Sequence, residues 1–289
     1  MRIAVLGASG VVGSALVSRL RSEHDVVAVA RNPPSKDGVE SISADLTKEQ
    51  DAERALSGAT AVVHLVHSLG QDDFERRDLA IAANVARAAA VTGVEQIVYL
   101  GGLGDESTTL SSHLRSRHET GLALARGPVP VTTLRSGIVL GRGSAAFETI
   151  VALVDRLPAM ICPRWVSVPT QPIAIRDVVE TLAGVVGRDE TYGQSYDVGG
   201  PEVMTYREMI DRIAAVRGKR PLIVEVPVLT PRLSSLWLHL VTPVKASVAR
   251  PLVDGLRNPT VARDDRIREV VPIEPTSFDV AVREALDQS

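Results

Sequence analysis

The stretch Met1-Arg-Ile-Ala-Val-Leu-Gly-Ala-Ser-Gly-Val-Val-Gly13 decides the reading of this chain. An apolar run, Ile3 to Leu6, leads straight into glycines at 7, 10 and 13, and an amphipathic stretch from Val11 to Leu20 follows at once. Strand, glycine turn and helix form the context in which this spacing signifies a dinucleotide site rather than a plain turn. Gly7 permits the sharp turn, Gly10 lets a pyrophosphate approach the backbone, and Gly13 lets the helix pack on the strand. The unpaired N–H groups around Val11 and Val12, with the positive end of the helix dipole, then face the phosphates.

The next apolar run, Val26 to Ala30, ends in Arg31. In an NAD site an acidic residue here accepts from the ribose 2′-hydroxyl. Arginine offers instead a planar, permanently charged fork suited to phosphate. The expected cofactor is therefore NADP(H) rather than NAD(H), with Arg31 on the 2′-phosphate and Ser9 assisting from the turn. The alternative is a solvated arginine ahead of the Pro33-Pro34 loop.

Composition narrows the class. At 289 residues the chain is long enough for a full core and a second lobe. A net charge of −3 gives no electrostatic case for nucleic acid. The single cysteine, Cys162 between Ile161 and Pro163, excludes an intramolecular disulfide and reads as a buried structural thiol. It fits a reducing compartment, so a cytoplasmic location is the expectation. The first residues already read as a strand, which leaves no place for a signal peptide. No apolar run is long enough to form a transmembrane segment. Aromatic residues make up only 3%, so the core has to be aliphatic.

Strands and helices alternate along the chain: strand at Thr60–Val66, helix at Leu79–Val91, strand at Glu95–Leu100, helix at Ser111–Ala125, strand at Val129–Leu134. This predicts an α/β fold of the Rossmann type, a doubly wound parallel sheet with helices on both faces. The alternation weakens after Gly141, where Pro158, Pro163, Pro169 and Pro172 punctuate the chain. It resumes at Gln171 and yields one more strand at Ser195–Val198. The expected organisation is an NADP(H)-binding domain over 1–140, which 171–200 rejoins, with 141–170 and 201–289 as a smaller substrate or cap region. Ligands of such sheets sit beyond the carboxyl ends of the strands. The tips after Leu6, Ala30, Val66, Leu100 and Arg135 should therefore form one cleft.

The motifs Gly7-Ala-Ser-Gly-Val-Val-Gly13, Arg31-Asn-Pro33, Ala44-Asp-Leu46, Val98-Tyr-Leu-Gly-Gly102 and Thr133-Leu-Arg-Ser-Gly137 together resemble an atypical short-chain dehydrogenase/reductase. The nearest likeness is to bacterial NAD(P)-binding oxidoreductases close to the NmrA-like and NAD-dependent epimerase/dehydratase families. Tyr99–Asp105 and Leu114–Gly121 look like that bacterial subgroup. The resemblance spans nearly the whole chain, and its N-terminal motifs are the more specific. It implies that Asp45 and Leu46 hold the adenine, that His64, Leu65, Val66 and His67 line the cofactor, and that Ile138 lies against the nicotinamide. Asp45 also reads as a helix-start acid before Thr47-Lys48-Glu49.

The catalytic part departs from that pattern. Members of the family carry a serine after the fifth strand and Tyr-x-x-x-Lys on the next helix. Here Gly101 or Gly102 stands at the serine position, His113 at the tyrosine and Arg117 at the lysine. Arg117 keeps the charge for a ribose contact but cannot exchange a proton. His113 titrates near neutrality and reads either as the proton donor or as a surface histidine on a basic helix face. Together, His64, His67, His113 and His118 bring four imidazoles near one cleft without a carboxylate or thiol at ligand spacing, so no metal is expected.

Gly102 and Leu103 at the strand tip, Gly141–Phe147 and Met160–Trp165 should face the substrate. Arg164 and Trp165 there offer a cation and an aromatic wall, or else ordinary loop packing. Leu229–Val244 is too apolar for one helix stripe and reads as a buried cap helix, a dimer face or a membrane-surface contact. The resulting expectation is an NADP(H)-dependent oxidoreductase that passes hydride to a small-molecule substrate, a carbonyl-like or quinone-like acceptor. A non-catalytic NADP(H) sensor or assembly factor, and an NAD(P)-dependent epimerase or dehydratase, are the alternatives.

Overall fold

The computed structural model describes residues 1–69, 71, 73–104, 110–226 and 254–287, except the side chains of 163–165. Runs such as Ile3–Leu6 and Val26–Ala30, apolar at every position, suit strands buried on both faces, which is what a parallel sheet requires. The chain begins β1 (Arg2–Leu6), α1 (Val11–Leu20), β2 (Asp25–Ala30), β3 (Glu40–Ser43), α2 (Glu49–Leu56), β4 (Ala61–His64), α3 (Phe74–Thr92), β5 (Gln96–Gly102), α4 (Ser112–Leu124) and β6 (Val131–Ser136). It continues with β7 (Val139–Leu140), α5 (Ala145–Arg156), β8 (Ala159–Pro163), a 3₁₀ turn at Arg164–Ser167, β9 (Pro169–Thr170), β10 (Ile173–Ala174), α6 (Ile175–Val185) and β11 (Ser195–Val198). The last described elements are β12 (Met204–Thr205), α7 (Tyr206–Val216), β13 (Leu222–Val226), α8 (Ile267–Val270) and α9 (Phe278–Asp287).

Seven strands make one parallel sheet in the order β11-β6-β5-β4-β1-β2-β3. The order reverses between β1 and β4, the switch point where α/β sheets open a crevice. Ala4 and Leu6 pack on one face with Leu56, Ile81 and Val85 of α2 and α3. On the other face Ile3 and Val5 pack with Leu16 and Leu20 of α1 and with Val178 and Leu182 of α6. A third cluster, including Leu140, Phe147, Met160, Met209 and Val282, lies away from the sheet. Cys162 is buried there, and that burial pushes its thiol up to about 11.

Two elements were not evident from the hydropathy pattern. Strand β3, Glu40-Ser-Ile-Ser43, is a polar edge strand that presents only Ile42 to the core. Helix α2 is largely charged and buries only Ala52, Ala55 and Leu56. Helix α3 also starts at Phe74, five residues before the apolar pattern suggests, because its first turn is polar. Strand β5 runs on through its glycine pair, with Gly101 and Gly102 in register with Arg135 and Ser136.

Gln96 fastens the end of α6 and the turn before β11 to the sheet. Its Nε2 donates to Thr132 Oγ1 at 2.9 Å and to the Val185 carbonyl at 3.0 Å, while its Oε1 accepts from Gly187 N at 2.7 Å. Among the described residues no helix is long and apolar enough to cross a membrane. The segment 229–244 lies outside them.

Candidate active site

The glycine turn has the geometry its spacing implies. Gly7 takes a φ of +89°, and Gly10 N donates back to the Gly7 carbonyl at 2.9 Å. A Cβ on Gly13 would lie 2.2 Å from that same carbonyl oxygen, so α1 approaches β1 as closely as only glycine allows. A Cβ on Gly10 would meet only the Gly7 oxygen, at 3.2 Å, and otherwise project into open space. Helix α1 has no acidic residue in its first turn and no side-chain cap. Its N–H groups are left for an anion. This cradle fits a pyrophosphate.

On one side of the turn a cavity of about 280 Å³ is lined by Ser9, Arg31, Asp45, Leu46, Val66 and Arg77, among others. Arg31 stands exposed at its rim. Asp45 Oδ1 accepts from Thr47 N at 3.2 Å and Thr47 Oγ1 at 2.8 Å, with Arg77 Nη2 at 3.8 Å. The Thr47 bonds hold its carboxyl below the usual range. Asp45 therefore closes the turn before α2 and faces the cavity as well. Arg77 escaped the reading of the sequence, since nothing in the polar first turn of α3 sets it apart from Arg76.

On the other side lies a larger cavity of about 390 Å³. Gly7, Gly10, Leu65 and His67 line both, so the two meet across the glycine turn. Val11, Val12, Gly102, Leu103 and Ile138 line the larger one, as do Gly143 to Ala146 at the start of α5. Leu114, Tyr206 and Leu256 complete a mostly apolar wall. Arg117 is the only permanently charged residue among the described ones lining it, and no carboxylate does. Phe147 and Met160, expected to face the substrate, turn instead into the third apolar cluster, where α5 packs its apolar side against α7. The side chains of Arg164 and Trp165 lie outside the described residues.

The positions of the missing serine are filled by packing. A Cβ on Gly101 would come within 3.2 Å of the Tyr99 ring, and one on Gly102 within 3.1 Å of Leu114 Cδ2. Arg117, in place of the family's lysine, is buried and donates to the carbonyls of Val66 (3.3 Å) and Leu100. Its guanidinium lies 4.9 Å from the centre of the Tyr99 ring, and Tyr99 Oη donates to the Arg117 carbonyl at 2.7 Å. The cation thus ties the tips of β4 and β5 together at the cavity wall.

His113 is not a surface residue. It is half-buried in the wall of the larger cavity, and burial drives its imidazole down to about 3. Its ring centre lies 5.0 Å from that of His67. His67 in turn donates from Nδ1 to Asp78 Oδ2 at 2.9 Å, and Asp78 Oδ1 accepts from Ser68 N at 2.9 Å. Burial lowers His67, with the Asp78 bond pulling the other way. Asp78 is only 2% exposed; burial pushes it up, yet the bonds from His67 and Ser68 hold it below the carboxylate range. Asp78 is a second residue that the sequence reading missed. Its signal is a lone acid on the apolar face of α3, one turn before Ile81 and Ala82.

His64 is fully buried under Arg117 and Tyr99 and is likewise driven down to about 3. His118 lines a different hollow. Among the described residues no group of three or more His, Cys, Asp or Glu side chains is arranged to hold a metal ion.

Residues 7–125 match the family described as NAD(P)H-binding. An uncharacterized protein of Mycobacterium tuberculosis is 32% identical over 232 residues, 79% of this chain but 25% of its own length. The chain thus spans about a quarter of that relative. A Streptomyces griseus protein, (4-alkanoyl-5-oxo-2,5-dihydrofuran-3-yl)methyl phosphate reductase, is 28% identical over 225 residues, covering 76% of this chain and 75% of that protein.

Among solved structures, an NADPH-dependent quinone oxidoreductase from Escherichia coli, complexed with NADPH, superposes with a TM-score of 0.79 at 20% identity, over 98% of this chain and 99% of the other. A triphenylmethane reductase from Citrobacter sp., complexed with NADP(H), gives 0.77 at 18%, over 99% and 100%. A nucleoside-diphosphate-sugar epimerase from Staphylococcus aureus gives 0.78 at 16%, over 98% and 100%. At these identities the superpositions establish a shared fold.

Proposed function

With residues 7–125 matching the NAD(P)H-binding family, we propose that the chain is an NADP(H)-dependent reductase of a small, apolar, carbonyl-like or quinone-like acceptor. The observation that carries this reading is the pair of cavities joined across the glycine turn: one lined by Ser9, Arg31, Asp45 and Arg77, the other mostly apolar with His113 in its wall.

The N–H groups at the start of α1 hold the pyrophosphate, Arg31 and Ser9 take the 2′-phosphate, and Asp45 and Leu46 take the adenine. Bound there, the dihydronicotinamide supplies a hydride. Ile138, Leu65 and Leu103 exclude water from the reacting face, while Gly102 leaves room for the acceptor. His113 handles the proton. Arg117 fixes the strand tips on which these residues stand.

The absence of a carboxylate from the described wall argues against a cationic substrate. A sugar nucleotide would bring its own diphosphate, and the one cation at the wall already donates to two carbonyls. An uncharged conjugated carbonyl suits the chamber better. The names of the Streptomyces relative and of the Escherichia coli and Citrobacter fold neighbours point to reductases as well.

Titration calorimetry with NADPH and NADH, followed by NADPH oxidation with 2-methyl-1,4-naphthoquinone and a panel of unsaturated lactones, tests the proposal. The expected result is NADPH bound at least tenfold more tightly than NADH, with acceptor-dependent oxidation. Tight NADPH binding without oxidation by any acceptor would favour a non-catalytic sensor, a reading that the replaced serine and tyrosine positions also permit.

A further inference from the structure

Buried Asp78 and the half-buried His67 and His113 beside the larger cavity line up in a way that the reductase reading alone does not require. We propose that Asp78, His67 and His113 form a proton relay whose outer end, Nε2 of His113, exchanges the proton with the substrate oxygen. The inference rests on the reductase reading for its substrate, but its geometry is independent of it.

The argument starts at the inner end. Asp78 accepts from both His67 Nδ1 and Ser68 N, so its carboxylate is held on two sides and the proton of a neutral His67 is fixed on Nδ1. The other nitrogen of His67, Nε2, is then a lone-pair acceptor. It is sealed from solvent and has no partner among the described residues. The nearer histidine, His113, likewise has Nδ1 sealed and unpartnered among the described residues, with the two rings 5.0 Å apart and inclined at 40°. A buried acceptor and a buried donor without partners each cost about 1–3 kcal/mol. One hydrogen bond from His113 Nδ1–H to His67 Nε2 removes both penalties after a small ring movement. That bond leaves His113 Nε2 without a hydrogen, on a ring that lines the cavity.

The charged and titratable groups around the pair are few. Asp78 lies behind His67 on α3, Arg117 is on α4 with His113, and His64 is at the end of β4. Burial and the Arg117 charge keep the imidazoles neutral, and neutral rings give the chain of donors and acceptors a single direction. When a substrate hydroxyl is oxidised, its O–H bond breaks toward His113 Nε2 and its C–H electron pair leaves with the nicotinamide cofactor. The His113 Nδ1 proton moves to His67 Nε2, and the positive charge comes to rest on His67 against Asp78. For reduction a proton from solvent first enters at His113 Nε2 and leaves His67 charged against Asp78; the acceptor then gains the hydride, the displaced π pair moves to its carbonyl oxygen, and the proton returns along the same atoms. His113 is thus the catalytic residue, while His67 and Asp78 are positioning residues.

Two measurements on the full-length protein test this. Long-range ¹⁵N–¹H spectra of the histidine rings need no substrate. Wild-type protein should show His67 and His113 both as the single Nδ1–H tautomer, and Asp78→Asn should turn both into mixtures. A wild-type His113 carrying its proton on Nε2 overturns the relay. NADPH oxidation with 2-methyl-1,4-naphthoquinone is the second measurement. His67→Phe should keep the NADPH dissociation constant within about threefold, lower kcat by about a hundredfold and flatten the pH profile. His67→Gln, which retains a polar group at the same reach, serves if the phenylalanine variant does not fold, and should recover part of kcat.

Wild-type turnover with an unchanged rate and profile in His67→Phe, or in His67→Gln where that variant stands in, overturns the relay and leaves the reductase reading intact. A wild type that binds NADPH but oxidises it with no acceptor overturns the reductase reading and the catalytic part of the relay together. The tautomer spectrum still decides the geometry.

Discussion

The two halves of the cleft handle polarity in opposite ways. At the half proposed to take the adenosine, Ser9, Arg31 and Arg77 stay at or near solvent, and Asp45 satisfies itself locally through Thr47. At the half proposed to take the nicotinamide, His64, His67, Asp78, His113 and Arg117 are drawn into the interior, His67 against Asp78 and Arg117 against backbone carbonyls. Charges left in water bind a charged ligand without first being stripped of a partner. Charges taken inside set protonation states and geometry, and their removal disturbs the fold itself. Substitutions in the first half should change affinity, and those in the second should change stability and chemistry.

The glycine turn between the halves gives the largest expected effect. Gly10→Val should lower NADP(H) affinity by more than a hundredfold with the melting temperature nearly unchanged, because its added side chain points where the pyrophosphate must lie. Gly13→Ala should do the reverse and destabilise the fold, since its Cβ would sit 2.2 Å from the Gly7 carbonyl oxygen. Calorimetric titration and thermal melts of both variants separate the two outcomes. Equal binding by Gly10→Val and wild type would mean that the glycines serve packing alone.

Next comes Arg117. Arg117→Met leaves the Val66 and Leu100 carbonyls without their donor, at about 1–3 kcal/mol each. A drop in denaturation midpoint is the expected result, with Arg117→Lys intermediate because a single ammonium lacks the fork. If Arg117→Met melts like wild type while NADPH affinity collapses, the cation belongs functionally to the cofactor half, and the contrast between the halves breaks.

Arg31 should show the opposite behaviour. Arg31→Asp removes a charge-assisted contact of about 1.5–3 kcal/mol, or ten- to a hundredfold in NADPH affinity. Stability and NADH affinity should barely move. Dissociation constants for the two cofactors check it, and an unchanged NADPH/NADH ratio would make Arg31 a bystander.

The smallest effect is graded. His64 and His113 sit near 3 in the folded protein against an ordinary imidazole value of 6.5. Below 6.5 the unfolded chain takes up protons that the folded one refuses. The stability held above pH 6.5 is therefore lost as pH falls toward 3, by up to about 1.4 kcal/mol per pH unit for each histidine. Urea denaturation at pH 7, 6 and 5 should show this slope, and His64→Phe should reduce it. A flat profile would mean that these rings are solvated.

The same contrast explains what the sequence discloses. The adenosine half is built from neighbours along the chain: glycines three apart, an arginine at a strand end, an acid two residues before its threonine. Local spacing suffices to read it. The nicotinamide half is assembled from β4, α3, α4 and β5, and its residues take their meaning from partners far along the chain. Asp78 looks like any helix acid until β4 brings His67 to it, and His113 looks exposed until the wall closes around it. Polar β3 and α2 were hidden for a related reason: they bury so little that hydropathy passes over them.

The seventh strand has a bearing on how the chain is made. Strand β6 can pair with β5 once Ser136 has emerged, but among the described residues its outer edge is covered only by β11, which ends at Val198. About 60 residues separate the two, which takes roughly 3–12 s of synthesis at 5–20 residues per second. For that interval a nearly finished sheet presents an open edge able to pair with another nascent chain. Gln96 already stands on β5, with its amide ready for the Val185 and Gly187 backbone when that part of the chain arrives.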